Sequence, residues 1–243
     1  MDWQDEGTIL SCRPHGESAA ILEVFCKTHG RHFGVVRGGA SRKMAASLQI
    51  GNQLCVVWRA RLEDHLGSFT VESLENRALL MGQALTLAGL NAICAMVRLC
   101  LAERQAQPNL WQATMILLKM LENAPDWPVK YLRWEANLLE EIGFGLDLTR
   151  CVVTGSRENL RFISPKTGRA VSPEGAGAWV DRLLPLPNCL LGQGPAMADE
   201  LLQGLQVTGF FLEKAIQSHG TLTTLPEARN RLIALLSRRE EDA

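Results

Sequence analysis

The chain has 243 residues, of which 47% are hydrophobic and 21% charged, and its formal net charge at pH 7 is −1. This is an ordinary composition for a soluble globular protein, with enough apolar material for one large domain or two smaller ones. No early segment has the pattern of a signal peptide. The longest apolar region, residues 78–101, is interrupted by Gln83, Asn91 and Arg98 and has a helical period, which predicts a buried helix rather than a membrane span.

Residues 3 to 75 have the pattern of a β domain. Short strands are predicted at residues 7–12, 18–27, 31–37, 53–62 and 68–74, and turns or loops at 13–16, 28–30 and 38–43. Five short strands in so small a segment indicate a closed or nearly closed barrel. The five-stranded OB-fold has this size and binds oligonucleotides in many proteins.

The charge of this β domain is unevenly distributed. Residues 24–62 contain no Asp or Glu and carry seven cations, so the rest of the chain sums to −8. Such a local excess is typical of a surface that binds a polyanion. The alternative is a solvated surface that happens to lack acids. The candidate DNA-binding residues are Lys27, Arg31, Arg37, Arg42, Lys43, Arg59 and Arg61.

The period of two in the strands predicts which side chains face outward. In the fourth strand, the residues predicted to face the core are Val56, Trp58, Ala60 and Leu62. Arg59, which has the other parity, is predicted to face the solvent. In the third strand Phe33 lies between Arg31 and Arg37 in the outward parity, which would form a base-stacking platform. The alternative is that Gly34 marks a bulge and Phe33 belongs to the core.

From Arg77 the period becomes helical. Helices are predicted at about residues 78–103, 108–122, 127–143, 173–184, 197–219 and 225–239, with a loop-rich insertion at about 146–172 that has strand-like pieces at 151–153 and 161–163. The predicted fold class is α+β. The predicted domains are an OB-fold DNA-binding domain, residues 1–76, and a helical domain, residues 77–243.

We find no catalytic motif in the sequence. No complete phosphate-binding loop, HExxH or GxSxG motif occurs. The five histidines are scattered; His29 and His32 could contact phosphate, although surface histidines in turns are the simpler interpretation. The seven cysteines form no CxxC pair, which favours a reducing cytoplasm and free thiols. The sequence therefore predicts neither enzymatic activity nor a cofactor.

Several segments in order resemble the RecO family of bacterial recombination mediators. They are Gly7–Leu10, His15–Ser18, Val24-Phe25, Gly30 and Val36–Gly38, followed by Gly143–Leu148 and Cys151. The resemblance covers nearly the whole chain, and no single motif in it is highly specific. It implies a β barrel, a helical part and an insertion that in many members binds zinc through two CxxC pairs.

The chain departs from this family pattern in the insertion. Cys151 is present, but Thr154 stands three residues later, and Ser172 and Gly175 replace the second pair. One thiolate cannot hold a structural zinc ion, so we predict no metal. We expect the insertion to be held by the packing of Phe162, Ile163 and Trp179, with Cys151 as a buried remnant.

The resemblance also implies a function. Members bind single- and double-stranded DNA, anneal complementary strands and, with RecR, promote loading of RecA on DNA coated by single-strand binding protein, whose acidic C-terminal tail they contact. Cations of the helical part would suit such a tail: Arg98, Arg104, Lys119, Lys130 and Arg133. Two alternatives remain, a scaffold whose basic barrel docks an acidic protein, and an enzyme that holds a phosphorylated ligand at residues 37–43.

Overall fold

The structure is a computed structural model that describes residues 1–193, 197–218 and 224–241. The chain forms two compact units, Met1–Asn123 and Ala124–Ala243. The elements of the first unit are β1 (Asp2–His15), β2 (Ala19–Cys26), β3 (Gly30–Val36), α1 (Arg42–Ala45), β4 (Gln53–Arg59), β5 (Ser68–Glu75), a 3₁₀ turn (Ala78–Gly82), α2 (Ala84–Cys100) and α3 (Pro108–Asn123).

The five strands close into a barrel in the order β1-β2-β3-β5-β4, with β4 returning to β1. The pair β3–β5 is parallel and the other pairs are antiparallel. This topology confirms the predicted OB-fold. The strand predicted at residues 7–12 was too short, because β1 pairs with β4 over residues 2–8 and with β2 over residues 7–15.

The barrel interior is filled by alternate residues of the strands, as the period of two predicts. Trp58 is 1% exposed and donates its indole N–H to the carbonyl oxygen of Leu66 at 3.1 Å. Arg59, the next residue, is exposed. The other buried members of this core include Ile9, Leu22, Val24, Leu54, Val56 and Phe69.

Helices of the same unit cover part of the outer barrel surface. Glu23 and Phe25 of β2 have the outward parity, yet both are fully buried. Arg98 of α2 donates to a carboxylate oxygen of Glu23 at 2.7 Å, and Trp111 of α3 donates to the Phe25 carbonyl at 3.2 Å. The long helices α2 and α3 therefore belong to the same compact unit as the strands. The domain division at residue 76 stays a prediction.

The second unit is built on three long helices, α4 (Trp127–Glu141), α6 (Ala198–Ser218) and α7 (Glu227–Glu241), with α6 packed against both others. Gly143 follows α4 with a φ of 84°, which confirms the predicted glycine C-cap. Arg229 binds Glu135 inside this unit, with Nε–Oε1 and Nη2–Oε2 distances of 2.6 and 2.8 Å. The predicted helical residue His219 lies outside the described residues.

The insertion between α4 and α6 contains β6 (Phe162–Ile163), β7 (Ala170–Val171), α5 (Pro173–Ala176), a 3₁₀ turn (Gly177–Arg182) and β8 (Leu184–Pro185). Its three strands form a small sheet in the order β7-β6-β8. Ile163 is buried as expected, but the packing role predicted for Trp179 was wrong. Its side chain is 60% exposed, and the Arg182 guanidinium lies 4.8 Å from its ring centroid.

All seven cysteines lie in the described part of the chain, and none of them forms a disulfide bond. Among the helices of residues 1–193, 197–218 and 224–241, none has the length and apolar content needed to cross a bilayer.

Candidate nucleic-acid interface

One edge of the barrel collects the segments that carry most of the predicted cations. Val35 near the end of β3 pairs with Ser68 at the start of β5, and Ser68 pairs with Arg59 at the end of β4. The Ala40 N–H donates to the carbonyl oxygen of Ser18 at 3.1 Å, which brings the β1–β2 turn to the same edge. OB-folds bind oligonucleotides with the β1–β2 and β4–β5 loops.

A cleft of about 460 Å³ opens at this edge. Its lining consists of Val36, Arg37, Met44, Arg59, Ser68, Phe69, Thr70 and Val71. Arg42 and Lys43 precede Met44 on α1, which forms where a flexible loop was predicted. Arg61 lies two residues beyond Arg59, and all five cations are exposed. We call this set the basic edge: Arg37, Arg42, Lys43, Arg59 and Arg61.

Four of these five cations have no ion pair within the first unit, all of whose residues are described. The exception is Arg59, whose Nε lies 3.9 Å from Oδ2 of Asp2, with both side chains 69% exposed. A contact of this length between solvated groups is weak and is screened by salt. The basic edge therefore keeps its positive charge available to a ligand.

Two acids of the open barrel surface, Glu6 and Glu72, lie away from the basic edge, whereas Asp2 pairs with Arg59 at that edge. Glu6, Cys55 and Glu72 form one row across β1, β4 and β5, and both glutamates are exposed. Cys55 precedes Arg59 by four residues on β4, so this row lies about 13 Å from the cations along the strand. Glu6 and Glu72 are therefore too far along the strands to neutralise the basic edge directly.

The other two predicted cations lie at the opposite end of β3. Arg31 binds the buried carboxylate of Glu23 and donates its Nε–H to the Leu101 carbonyl at 3.1 Å. Lys27 is exposed, and its Nζ lies 5.7 Å from the ring centroid of Trp111. The charge pattern of residues 24–62 could not indicate the Arg31 pairing, because the partner Glu23 lies just outside that acid-free segment.

Phe33 has the outward parity that a stacking platform requires. It is half-buried, and the Arg31 guanidinium lies 5.8 Å from its ring centroid. The alternative of a bulge at Gly34 was wrong, because β2 and β3 pair without interruption. Gly34 instead leaves space for the Phe69 ring, which a Cβ atom at position 34 would approach to 2.4 Å.

A second cleft, of about 420 Å³, contains both histidines that were considered as phosphate contacts. His29 stacks on Trp3 with a centroid distance of 3.9 Å, and its Nδ1 lies 2.8 Å from Oδ2 of Asp5. His32 is buried within β3, where burial lowers the pKa of its imidazole. The interpretation of His32 as a surface turn residue was therefore wrong.

These observations define a class: an α+β protein with an OB-fold barrel, one edge of which is cationic. Comparison with known proteins then identifies the family. The family model described as Recombination protein O N terminal matches residues 1–77, and the model described as Recombination protein O C terminal matches residues 81–221.

Individual relatives agree with these matches over nearly the full length. The chain is 61% identical over 238 residues to the DNA repair protein RecO of Cereibacter sphaeroides, covering 98% of this chain and 100% of the relative. It is 51% identical over 240 residues to the protein of the same name from Ruegeria sp., with coverages of 98% and 100%. The chain belongs to the RecO family of DNA repair and recombination proteins.

Proposed function

We propose that this protein binds single- and double-stranded DNA through the basic edge of its barrel and anneals complementary strands. We further propose that, with RecR, it promotes loading of RecA on DNA coated by single-strand binding protein. The observation that carries the DNA-binding proposal is the group of exposed cations around the cleft lined by Arg37 and Arg59. The family membership supports the recombination role.

The basic edge suits a polyphosphate strand for electrostatic reasons. Its guanidinium and ammonium groups are exposed, and phosphate contacts of this kind give affinity with little sequence preference. Cations that neutralise the backbones of two strands reduce their repulsion and leave the base edges free to pair. Annealing follows from this without any covalent chemistry.

We infer that the protein acts without catalytic turnover. The eight residues that line the cleft include no carboxylate, histidine or cysteine that could serve as a base or nucleophile beside a bound phosphate. An enzyme acting on a phosphorylated ligand at residues 37–43 would need such a group. Turnover of a nucleotide or phosphoester by the purified protein would refute this inference.

The partner proteins are proposed from the family resemblance. We propose contacts with RecR and with the acidic C-terminal tail of single-strand binding protein, and a cytoplasmic, nucleoid-associated location. Three of the cations considered for the tail have other contacts. The Lys130 Nζ lies 3.6 Å from Oδ2 of Asp126. Arg98 binds Glu23, and Arg104 donates to the carbonyl oxygens of Glu63 and His65.

Fluorescence anisotropy with labelled single strands and duplexes of arbitrary sequence tests the proposal. Five phosphate contacts predict that log K falls against log salt with a slope of about −3.5 for single strands and about −4.5 for duplex. Binding that is absent, or that does not change with salt, would contradict the proposal.

A second candidate function is a scaffold that docks an acidic protein. Two exposed leucines in the β4–β5 loop favour this function. Leu62 and Leu66 are 57% and 39% exposed and lie near Arg61 in the sequence. Together with the arginine, they would suit an acidic segment that also has apolar residues. An acidic peptide that binds while single strands do not would support the scaffold.

A further inference from the structure

Four positions meet at the base of the insertion, which contains β6 to β8. The Cys151 sulfur accepts hydrogen bonds from the backbone N–H groups of Ser172 and Thr154, at 3.2 and 3.4 Å, and from the Ser172 hydroxyl at 3.4 Å. The hydroxyl oxygens of Thr154 and Ser172 are 3.4 Å apart. A Cβ atom at Gly175 would lie 2.8 Å from the sulfur. We call Cys151, Thr154, Ser172 and Gly175 the Cys151 cluster.

The spacing of the cluster is that of a structural zinc site, but its side chains are not. Positions 151, 154, 172 and 175 have the separations of two CxxC pairs, which in a zinc site supply four thiolates. Here they supply one thiol, two hydroxyls and no side chain at position 175. Among the described residues, no group of three or more His, Cys, Asp or Glu side chains is placed to hold a metal ion.

The distances show that the side chains of the cluster contact each other directly. The hydroxyl oxygens of Thr154 and Ser172, and the Ser172 hydroxyl and the Cys151 sulfur, are each separated by 3.4 Å, the distance of a weak hydrogen bond. Gly175 lies close to the sulfur because it has no side chain. Direct contacts therefore connect the four positions without an ion.

We propose that hydrogen bonds to the Cys151 sulfur replace a metal ion at the base of the insertion, so that this segment folds without zinc. The cluster joins the two halves of the insertion as a metal ion would. Cys151 and Thr154 lie in its first turn, and Ser172 caps α5 by accepting the Gly175 N–H at 3.2 Å. The Cys151 side chain is thus a structural acceptor and more than a remnant.

The burial of the Cys151 sulfur and the lowered pKa of its thiol are consistent with this role. Cys151 is 1% exposed, and a buried acceptor contributes to stability when its donors are well placed. Burial alone raises the pKa of this thiol, but the hydrogen bonds from Ser172 and Thr154 outweigh that effect and lower the pKa to about 6. A charged sulfur accepts stronger hydrogen bonds than a neutral one.

The wild-type protein provides the first test. We expect purified protein to contain far less than one zinc ion per chain, and we expect a chelator such as EDTA to leave its thermal unfolding midpoint unchanged. We also expect slow hydrogen exchange at the Thr154 and Ser172 amides in metal-free protein. One equivalent of zinc, a midpoint lowered by EDTA, or fast exchange at both amides would overturn the proposal.

A designed variant tests the convergence of the four positions. Thr154→Cys combined with Ser172→Cys and Gly175→Cys should bind about one zinc ion per chain and give the absorption of cobalt(II) thiolate with cobalt. The matched control is Ser41→Cys with Gly82→Cys and Thr149→Cys, at three exposed positions, and should bind neither metal specifically. A folded cluster variant that binds no more zinc than the control would contradict the proposed geometry.

Discussion

The basic edge of the barrel and the helical core of the second unit use arginine in opposite ways. Arg37 is exposed and has no ion pair in the first unit, whereas Arg229 is 3% exposed and binds both carboxylate oxygens of Glu135. Thr208 also donates to that carboxylate, at 2.6 Å. Water stabilises the first guanidinium, and a fixed partner stabilises the second.

This difference shows that an arginine's surroundings, not its presence in a basic segment, decide what it contributes. A buried charge needs a partner because desolvation is costly, and that partner then occupies the hydrogen-bonding groups that a ligand would use. An exposed arginine adds little to stability and remains available to phosphate. Arg31 is intermediate, since it belongs to the acid-free segment but is held by Glu23.

Removal of Arg229 should give the largest effect on stability. Arg229→Met leaves the Glu135 carboxylate buried without a counter-ion, and we expect the second unit to lose about 3–5 kcal/mol. Hydrogen exchange of the α4 and α6 amides measures this loss for the second unit alone. The double variant Arg229→Met with Glu135→Leu should recover much of it. If Arg229→Met left the hydrogen exchange of the α4 and α6 amides unchanged, that result would contradict this account of the pair.

Replacement of Arg31 should affect stability more than DNA binding. Arg31→Ala removes one partner of the buried Glu23 but leaves Arg98 and Ser11 bound to it, so we expect a loss of about 2 kcal/mol. The salt slope for single strands should not change. The matched control, Arg37→Ala, should change stability by less than about 0.5 kcal/mol and reduce the slope. If Arg31→Ala instead reduced the salt slope and left stability unchanged, Arg31 would belong to the DNA-binding interface.

A smaller, pH-dependent effect is expected at Asp5. Burial by itself raises the pKa of this carboxyl, but hydrogen bonds from His29, Thr28 and Glu6 outweigh it and hold the pKa below the ordinary value of 3.8. The folded pKa is therefore lower than the unfolded one. The resulting stability is complete above the unfolded pKa and is lost as pH falls through the folded pKa.

Asp5→Asn tests this prediction. The variant should be less stable than the wild type by about 1 kcal/mol at neutral pH, and the difference should disappear in acid. Urea unfolding of both proteins from about pH 7 to about pH 2.5 measures it. A difference that does not depend on pH would show that the carboxylate charge contributes nothing.

The sequence predicted the parts of the fold that depend on local pattern. The bounds of β2, β3 and β5 differ from the predicted strands by one residue, and Trp58 and Arg59 face inward and outward as expected. These features depend on the period of two and on nearby turn residues. The bounds of β1 were wrong because its first residues pair with β4, which is distant in sequence, and its last residues extend the hairpin with β2.

The candidate site was less predictable because it depends on which distant groups meet. Charge counting gave one continuous set of seven cations, and the structure separates Lys27 and Arg31 from the basic edge. The Arg98–Glu23 contact spans 75 residues, which no local pattern encodes. The same limit applies to Trp179, whose apolar character indicated packing although its ring lies on the surface.

The most direct test of the central claim is the salt dependence of single-strand binding by Arg37→Ala with Arg42→Ala and Lys43→Ala. The control is Arg150→Ala with Arg157→Ala and Lys166→Ala, which removes three exposed cations of the insertion. We expect the first variant to bind all sequences more weakly and its slope to become shallower by about 2, with the control unchanged. A slope unchanged in the first variant would contradict the claim that the basic edge binds the DNA backbone.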